Sequence, residues 1–402
     1  MKILLSHRYF WPDSPPYAAM LRSIAESLAE EGHEVHVFAS RPSYRAGVDA
    51  PRRERLGNLN IRRVWVFSEH KKNPATRALN VLIYSICLFF HIRRLRPDAV
   101  TAATFPPIIS ARMASIAAQL VGAHFIYHMQ DIHPEVSIIS GGILGRKPIA
   151  NLLRALDKRT LYSATAIVVL SEDMADTLRQ QRSCKDLPIR VINNFLLDNF
   201  EEVEPPPKEL VKSAEKTRLI FAGNLGAFQN LSLLTEGLTK TFTNHPELEL
   251  LFLGDGPALA TLHQRWGNHP QIRFGPFLPF AQAKPLIADA DIGLVSLIPE
   301  IYRVSYPSKV LTYLGLGIPV LALVESKSKL GIEIRSNSLG AVPPEPTAGA
   351  IADTVEQLLD TLKNSHDYGE AIVRYHKAQL SPAKAMSRWI GLLEEVQQQN
   401  LV

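Results

Sequence analysis

The chain has 402 residues, 46% of them hydrophobic and 21% charged, which is the composition of a water-soluble globular protein too long for one ordinary core. Two cysteines, Cys87 and Cys184, exclude a disulfide framework, and no CxxC or Cys/His run has zinc spacing. The net charge of +5 is uneven: residues 1–200 hold 26 Lys+Arg against 17 Asp+Glu, and the remainder 18 against 22. A basic first half is read either as a surface for an anionic membrane, a phosphorylated lipid or nucleic acid, or as a solvated face with a chance surplus.

The opening MKILLS is a strand, and MKILLSHRYFWP breaks its apolar run too early for a signal peptide. Leu21, Ile24, Ala25 and Leu28 then fall at helical spacing, Gly32 supplies the stop, and Val35, Val37 and Phe38 resume as a strand. Further strands are expected at 61–67, 98–104, 123–129 and 166–171, separated by helices, which is the alternation of a parallel sheet. Residues 78–90, ALNVLIYSICLFF, form a 13-residue apolar stretch followed by HIRRLR. It is shorter than the ~18–20 residues that cross hydrocarbon, and two readings stay open: a buried helix, or a monotopic anchor with a basic flank.

The acidic run and three prolines at 205–207 mark a linker over 196–216 between a first domain, 1–195, and a second, 217–382. The second repeats the alternation, with strands at 218–224, 248–256, 271–277, 291–297 and 319–323 and helices near 231–242 and 281–288. The terminal 383–402 is an amphipathic helix expected to pack back across the boundary. The fold class is therefore α/β, with two Rossmann-like domains.

Ligands of such sheets bind beyond the strand C-termini, and three loops of the second domain lie there. FAGNLGAFQN sets Gly223 and Gly226 around Asn224 before a helix, where a backbone can approach phosphate. FLGDGP holds Gly254, with Asp255 bracing the turn. YPSKVLTYLGLGIPVL places Ser308 and Lys309 at the start of a short helix, with Arg303 just upstream. A cation in a first turn opposes the helix dipole. A bound diphosphate reverses that penalty and takes hydrogen bonds from the first-turn N–H groups.

In the first domain, HMQDIHPE offers His128, Asp131 and His133. Two histidines five apart with no third site nearby do not meet a metal's needs, so no metal is expected. Asp131 is read either as a loop cap or as a group positioning substrate. Arg8 and Tyr17 are further candidates in the N-terminal loops.

Taken together, the Gly-Asn-Leu-Gly loop, the GDGP turn, DIGLVSL, PSKVLTYLGLGIPVL, and in the first domain GHEVHVFAS, TFPP, HMQDIHPE and VVLSEDMADTL resemble the retaining glycosyltransferases of family 4. The closest branch is the one building bacterial surface polysaccharides, including colanic-acid and O-antigen fucosyl- and N-acetylfucosaminyl-transferases. The resemblance implies a GT-B fold, two Rossmann-like domains facing a central cleft. It implies transfer from a UDP- or GDP-sugar to a lipid-linked or saccharide acceptor with retention of configuration, without metal or other cofactor, at the inner face of a plasma membrane and with no nucleic-acid partner. By position it implies that Gly223, Asn224, Gly254, Ser308 and Lys309 face the donor diphosphate, with Arg303 beside them. Gly275, Phe277 and Leu278 then meet the base, Asp131 and Lys309 serve catalysis, and Arg8, Tyr17 and His133 lie on the acceptor side. The sequence departs from the family where two glutamates eight positions apart are usual: Val304 and Thr312 stand there, leaving Thr312 a neutral hydroxyl for the ribose and Glu300 as a nearby carboxylate. The usual Gly-Gly of the N-terminal loop is replaced by SPPYAAM. A sugar-nucleotide epimerase of the same fold, or a non-catalytic nucleotide-binding homologue, are the other functions this pattern admits.

Overall fold

The computed structural model describes residues 1–13, 16–42, 49–67, 73–181, 186–196, 204–365 and 367–398. It divides into two compact units, the first comprising Met1–Leu197, Val304–Tyr306 and Ala383–Val402, the second Asp198–Arg303 and Pro307–Pro382. Cys184 and part of the expected linker, 197–203, lie outside the described residues.

The first unit runs β1 (Lys2–Ser6), α1 (Pro16–Glu30), β2 (Glu34–Ser40), β3 (Arg53–Leu56), β4 (Leu59–Val64), α2 (Pro74–Leu95), β5 (Ala99–Ala103), α3 (Ile109–Val121), β6 (His124–Met129), α4 (Glu135–Ile139), α5 (Lys147–Tyr162), β7 (Ala166–Val169), α6 (Glu172–Gln181) and β8 (Ile189–Val191). Its sheet has the order β3-β4-β2-β1-β5-β6-β7-β8. All pairs are parallel except β3–β4, an edge hairpin that the sequence reading did not foresee. The inner strands are apolar on both faces, as a sheet covered on both sides requires. One core joins these strands to Leu21, Ile24 and Leu28 of α1 and to Trp389, Leu392, Leu393 and Val396 of the last helix, α14 (Pro382–Gln398).

The apolar stretch at 78–90 is part of a longer helix than expected. Asn73 caps α2 through its side chain, which accepts from the Ala75 N–H, Pro74 opens it, and Arg96 closes it in the left-handed conformation. Flanking polar residues such as Arg77, His91 and Arg93 do not interrupt the helix. Counting only the unbroken apolar run therefore underestimated a segment, Ala75–Leu95, that is long and apolar enough to cross a membrane by length and composition.

The second unit runs β9 (Thr217–Ala222), α7 (Leu231–Phe242), β10 (Leu248–Leu253), α8 (Leu259–Trp266), β11 (Ile272–Gly275), α9 (Phe280–Ala288), β12 (Ile292–Ser296), α10 (Lys309–Gly315), β13 (Val320–Leu323), α11 (Lys329–Ser336), β14 (Gly340–Ala341), α12 (Ala348–Lys363) and α13 (Tyr368–Gln379). Its all-parallel sheet has the order β11-β10-β9-β12-β13-β14. From β9 the chain first builds one side of the sheet and then, at β12, the other. The gap between β9 and β12 is thus the topological switch point, where open α/β sheets hold ligands.

Candidate functional sites at the carboxyl edges of the two sheets

In the second unit the site begins where β9 and β12 part. They pair only at Leu219–Ile292 and Ile220–Gly293. Beyond that the Tyr313 hydroxyl fills the opening, accepting from the Ala222 N–H at 3.0 Å and donating to the Ile220 carbonyl at 3.2 Å. The Tyr313 ring lies so close over Gly293 that a Cβ there would come within 2.4 Å of it. Tyr313 therefore fixes α10 against the sheet, and Lys309, one helical turn earlier, is carried to the end of β9. Sequence reading missed this role, although a tyrosine four residues after the lysine on a buried face was the available signal.

Lys309 sits with Nζ 4.7 Å from the centre of the Phe221 ring and its Cε against Gly223, where a Cβ would be 3.3 Å away. Burial lowers its pKa to about 8. No carboxylate pairs with it among the described residues. An aromatic face contributes only about 0.5–2 kcal/mol to holding a cation, so the desolvated ammonium is left with capacity for an anion.

Gly223 and Gly254 close the neighbouring strands. The Gly223 N–H donates to Leu253 at 2.8 Å, and the Gly254 N–H donates to Gly275 at 3.2 Å. Gly254 has φ +146°, and a Cβ on it would lie 2.0 Å from the Gly223 carbonyl oxygen, so only glycine fits. The Asp255 carboxylate accepts from the Gly256 N–H at 2.7 Å, and its carbonyl accepts from the Leu225 N–H at 2.9 Å, tying the two glycine loops together. Asn224 and Ser308 are exposed at this edge, Thr312 is half-buried, and Phe277 and Leu278 are half-buried in the loop after β11. Gly275 is buried against Leu253 and Leu210, a packing position.

Two expectations change. The N–H groups of Val310 and Leu311 already donate to the carbonyls of Pro307 and Ser308 in the tight first turn of α10. That leaves the N–H groups of Ser308 and Lys309, not the whole turn, to meet an anion. Arg303 is not an unpaired cation: its guanidinium binds the Glu300 carboxylate at 2.7 Å. Glu300 is in turn held by this pair, by Lys327 at 3.8 Å, and by donation of its own N–H to Glu325, at φ +69°. It is committed to that network rather than to replacing the carboxylate lost at Thr312.

The first unit ends its sheet differently. The Gln130 side-chain carbonyl accepts from Asn194 at 2.8 Å, so the Gln130 amide donates to His128 Nε2 at 2.8 Å. His128 Nδ1–H is then the donor to the Tyr17 hydroxyl oxygen at 2.8 Å, and the tyrosine proton points onward. Burial holds His128 neutral, with a pKa of about 3, and raises that of Tyr17. With both ring nitrogens engaged, His128 is no metal ligand. His7 lies 4.6 Å from the Tyr17 ring, and Tyr9 and Phe105 stack at 5.1 Å. Arg8 is buried inside this edge, its guanidinium 5.5 Å from the Tyr9 ring and its carbonyl held by Ser40, rather than offered to solvent. Asp131 is half-buried; its N–H donates to Thr104 Oγ1 at 3.3 Å and its backbone bridges to Ser305. His133 is two residues on, held towards its neutral form by burial against the opposing pull of Asp131 and Glu135. The structure thus groups Tyr17 with His128, and Asp131 with His133, at the ends of β1, β5 and β6. It groups Lys309 with Gly223 and Gly254 at the switch point of the second unit.

A two-sheet chain with this second-unit site has the architecture of GT-B glycosyltransferases. Residues 17–194 match the family described as the glycosyl transferase 4-like domain. The chain is 24% identical over 277 residues to WbjE of Pseudomonas aeruginosa, named as a probable glycosyltransferase, covering 67% of this chain and 68% of that protein. It is 23% identical over 380 residues to WcaI of Escherichia coli (strain K12), named as a colanic acid biosynthesis glycosyl transferase, covering 89% and 92%. Among solved structures it superposes on Anabaena HepE in complex with UDP with a TM-score of 0.66 at 13% identity, covering 98% of this chain and 100% of that one.

Proposed function

We propose that the protein is a glycosyltransferase of polysaccharide biosynthesis, moving a sugar from a UDP- or GDP-sugar to a lipid-linked or saccharide acceptor with retention of configuration. The observation that carries the reading is Lys309, a desolvated ammonium with no carboxylate partner among the described residues, set against Gly223 at the switch point of the second sheet. An anion there restores the charge balance that the fold leaves open. The likeness to a UDP-bound structure and to two glycosyltransferase relatives supports a nucleotide diphosphate as that anion.

In this reading Gly223 and Gly254 let the backbone come close to the diphosphate, and the N–H groups of Ser308 and Lys309 donate to it. Lys309 stabilises the negative charge that grows on the leaving phosphate as the anomeric C–O bond breaks. The acceptor hydroxyl attacks from the same face and gives its proton to the departing phosphate oxygen, so the configuration is kept and no protein base is needed. Lys309 supplies the electrostatic stabilisation for which other enzymes use a cation, so the reaction is proposed to proceed without metal. Thr312 offers a neutral hydroxyl to the ribose, and Phe277 and Leu278 give the base an apolar seat. In the first unit Tyr17, its proton directed outward by His128, donates to the saccharide acceptor, and Asp131 orients the transferred sugar.

The test is calorimetric titration with UDP, GDP and ADP in EDTA. Micromolar binding of one of them is expected, and Lys309→Ala should weaken it by ~1.5–3 kcal/mol, the size of a lost charge-assisted contact. Unchanged affinity in the variant would remove Lys309 from the donor site. Conversion of the sugar nucleotide with no acceptor present would replace transfer by epimerisation.

A further inference from the structure

A helix lying on a sheet should turn its polar side to water. The helix α2 instead carries an apolar stripe on its outer side as well as its inner one. Asn80, Tyr84, Ser85, Leu88 and Ile92 face inward and are buried, with the Asn80 amide bonded to both backbone groups of Phe67. On the opposite stripe, spaced three, four and four apart, stand Leu79, Leu82, Ile86 and Phe90, between 45% and 65% exposed. Beside them lie Trp65, 52% exposed, and Phe67, with ring centres 4.3 Å apart. The inner face is occupied by the protein's own core, so the helix cannot also traverse a bilayer without unpacking Tyr84, Leu88 and Ile92.

The end of this stripe is strongly basic. Arg93 and Arg94 are exposed in the last turn. The β3–β4 hairpin brings Arg53 opposite Arg62, and Arg62 bonds the ring of His91 at 3.1 Å. Burial first, and then the neighbouring Arg53, Arg52 and Arg94, lower the pKa of Arg62; burial, with Arg62, His36, Arg53 and Arg94 beside it, holds His91 neutral. No carboxylate pairs with Arg52, Arg53, Arg62 or Arg94 among the described residues. Like charges gathered without counter-charges cost folding energy, and an anionic surface offsets that cost.

We propose that the outer stripe of α2, with Trp65 and Phe67, lies in the interfacial layer of a bilayer, and that the arginines at its C-terminal end contact anionic lipid headgroups. The apolar residues reach the acyl boundary, where a helix with such a stripe is buried by a few ångströms. Each headgroup contact of an arginine adds to the apolar anchoring and is weakened by salt. This proposal stands on the surface of the first unit alone and does not depend on the reaction the protein catalyses.

The experiment is flotation of the full-length protein with vesicles of phosphatidylcholine, and of phosphatidylcholine with phosphatidylglycerol, at low and high salt. Binding to the anionic vesicles that weakens with salt is expected. Leu82→Gln with Ile86→Gln, and separately Arg93→Glu with Arg94→Glu, should each reduce partitioning about tenfold or more while thermal melting is unchanged. All four side chains are exposed, so folding survives and can be checked. Absence of vesicle binding overturns the proposal, as does binding that is indifferent to lipid charge. A dimer that the Leu82/Ile86 variant converts to monomer, with vesicle partitioning unaltered, overturns it in favour of contact between two copies.

Discussion

The two sheets finish their carboxyl edges in opposite ways. The first fills its edge with rings and neutral histidines whose hydrogen bonds are satisfied by one another, Asn194 to Gln130 to His128 to Tyr17. The second empties its edge with glycines and sets the desolvated ammonium of Lys309 against them. Similar β–α alternation thus yields two kinds of recognition: a directed neutral donor suits a hydroxyl-bearing ligand, whereas an unpaired charge among bare N–H groups suits an anion. The cost differs too. A neutral network is stable as built, while an unpaired buried charge is tolerated because something else completes it.

The sharpest way to test that distinction is a buried cation in the same second sheet that does have its partner. Arg218, at the start of β9, is fully buried, and its Nε donates to Glu249 at 2.6 Å. Glu249→Gln leaves the guanidinium buried without its counter-charge and should destabilise the second unit by about 3–5 kcal/mol, read by urea unfolding. A loss below about 1 kcal/mol would show that burial of charge in this sheet costs little, and the meaning given to Lys309 would weaken with it.

Acid separates the two units. His7 and His128 are held neutral by burial, with pKa values of about 4 and about 3 against about 6.5 in the unfolded chain. Their folded pKa values are lowered, so the unfolded state takes up protons first. Stability is intact above pH ~6.5 and drains as pH falls towards 3–4, by about 2 kcal/mol for each histidine at pH 5. His245 in the second unit is the reverse case. Hydrogen bonds to Glu247 and Glu356, at 2.8 and 2.6 Å, raise its pKa. Its contribution is full below the unfolded value and is lost as pH rises through the folded one. Calorimetry at pH 5 and pH 8 should show the first unit melting earlier at pH 5 and the second holding or gaining. Parallel shifts of both units would break the contrast.

Lys309→Met should move function and stability in opposite directions. Nucleotide affinity falls as for the alanine variant, yet the unliganded second unit gains up to about 2 kcal/mol, because an apolar chain replaces an uncompensated charge. In the proposed complex the diphosphate would pull the ammonium pKa back up from about 8. Affinity should therefore be flat below pH 8 and decline above it, with proton uptake on binding. The methionine variant should show no such decline.

Much of this was legible in the chain itself, for identifiable reasons. The inner strands of both sheets and the helices at 231–242 and 281–288 follow from apolar periodicity, which a sheet covered on both faces imposes, whereas the short strands β8 and β14 were not foreseen. The oddness of a lysine opening a buried helix was visible too, since the dipole and the apolar flank are local properties. Tyr313 was not legible, because its meaning lies in a gap between β9 and β12 that only the folded sheet creates. Nor was the pairing of Arg303 with Glu300, which depends on a left-handed residue in a loop. The β3 edge hairpin escaped because RRERL has no apolar alternation, being a strand on register with Arg62 and Ile61 rather than on burial. Helix α2 was misjudged in length because capping by Asn73 and Arg96, not hydrophobicity, sets its ends.

The smallest expected effect is the one that checks the glycines. Gly254 is held by its φ and by the carbonyl it touches, whereas Gly391, midway along α14, has open space where a Cβ would be. A helix-interior glycine costs roughly 0.5–1 kcal/mol relative to alanine. Gly391→Ala should therefore stabilise the first unit by that amount and leave nucleotide binding untouched. Gly254→Ala, by the same atom added, should disrupt the turn at the end of β10 and abolish binding. If the two substitutions behaved alike, glycine at the carboxyl edge of the second sheet would be a matter of chain flexibility. If they differ as stated, it is a matter of space, and the space is what lets a phosphate reach the backbone.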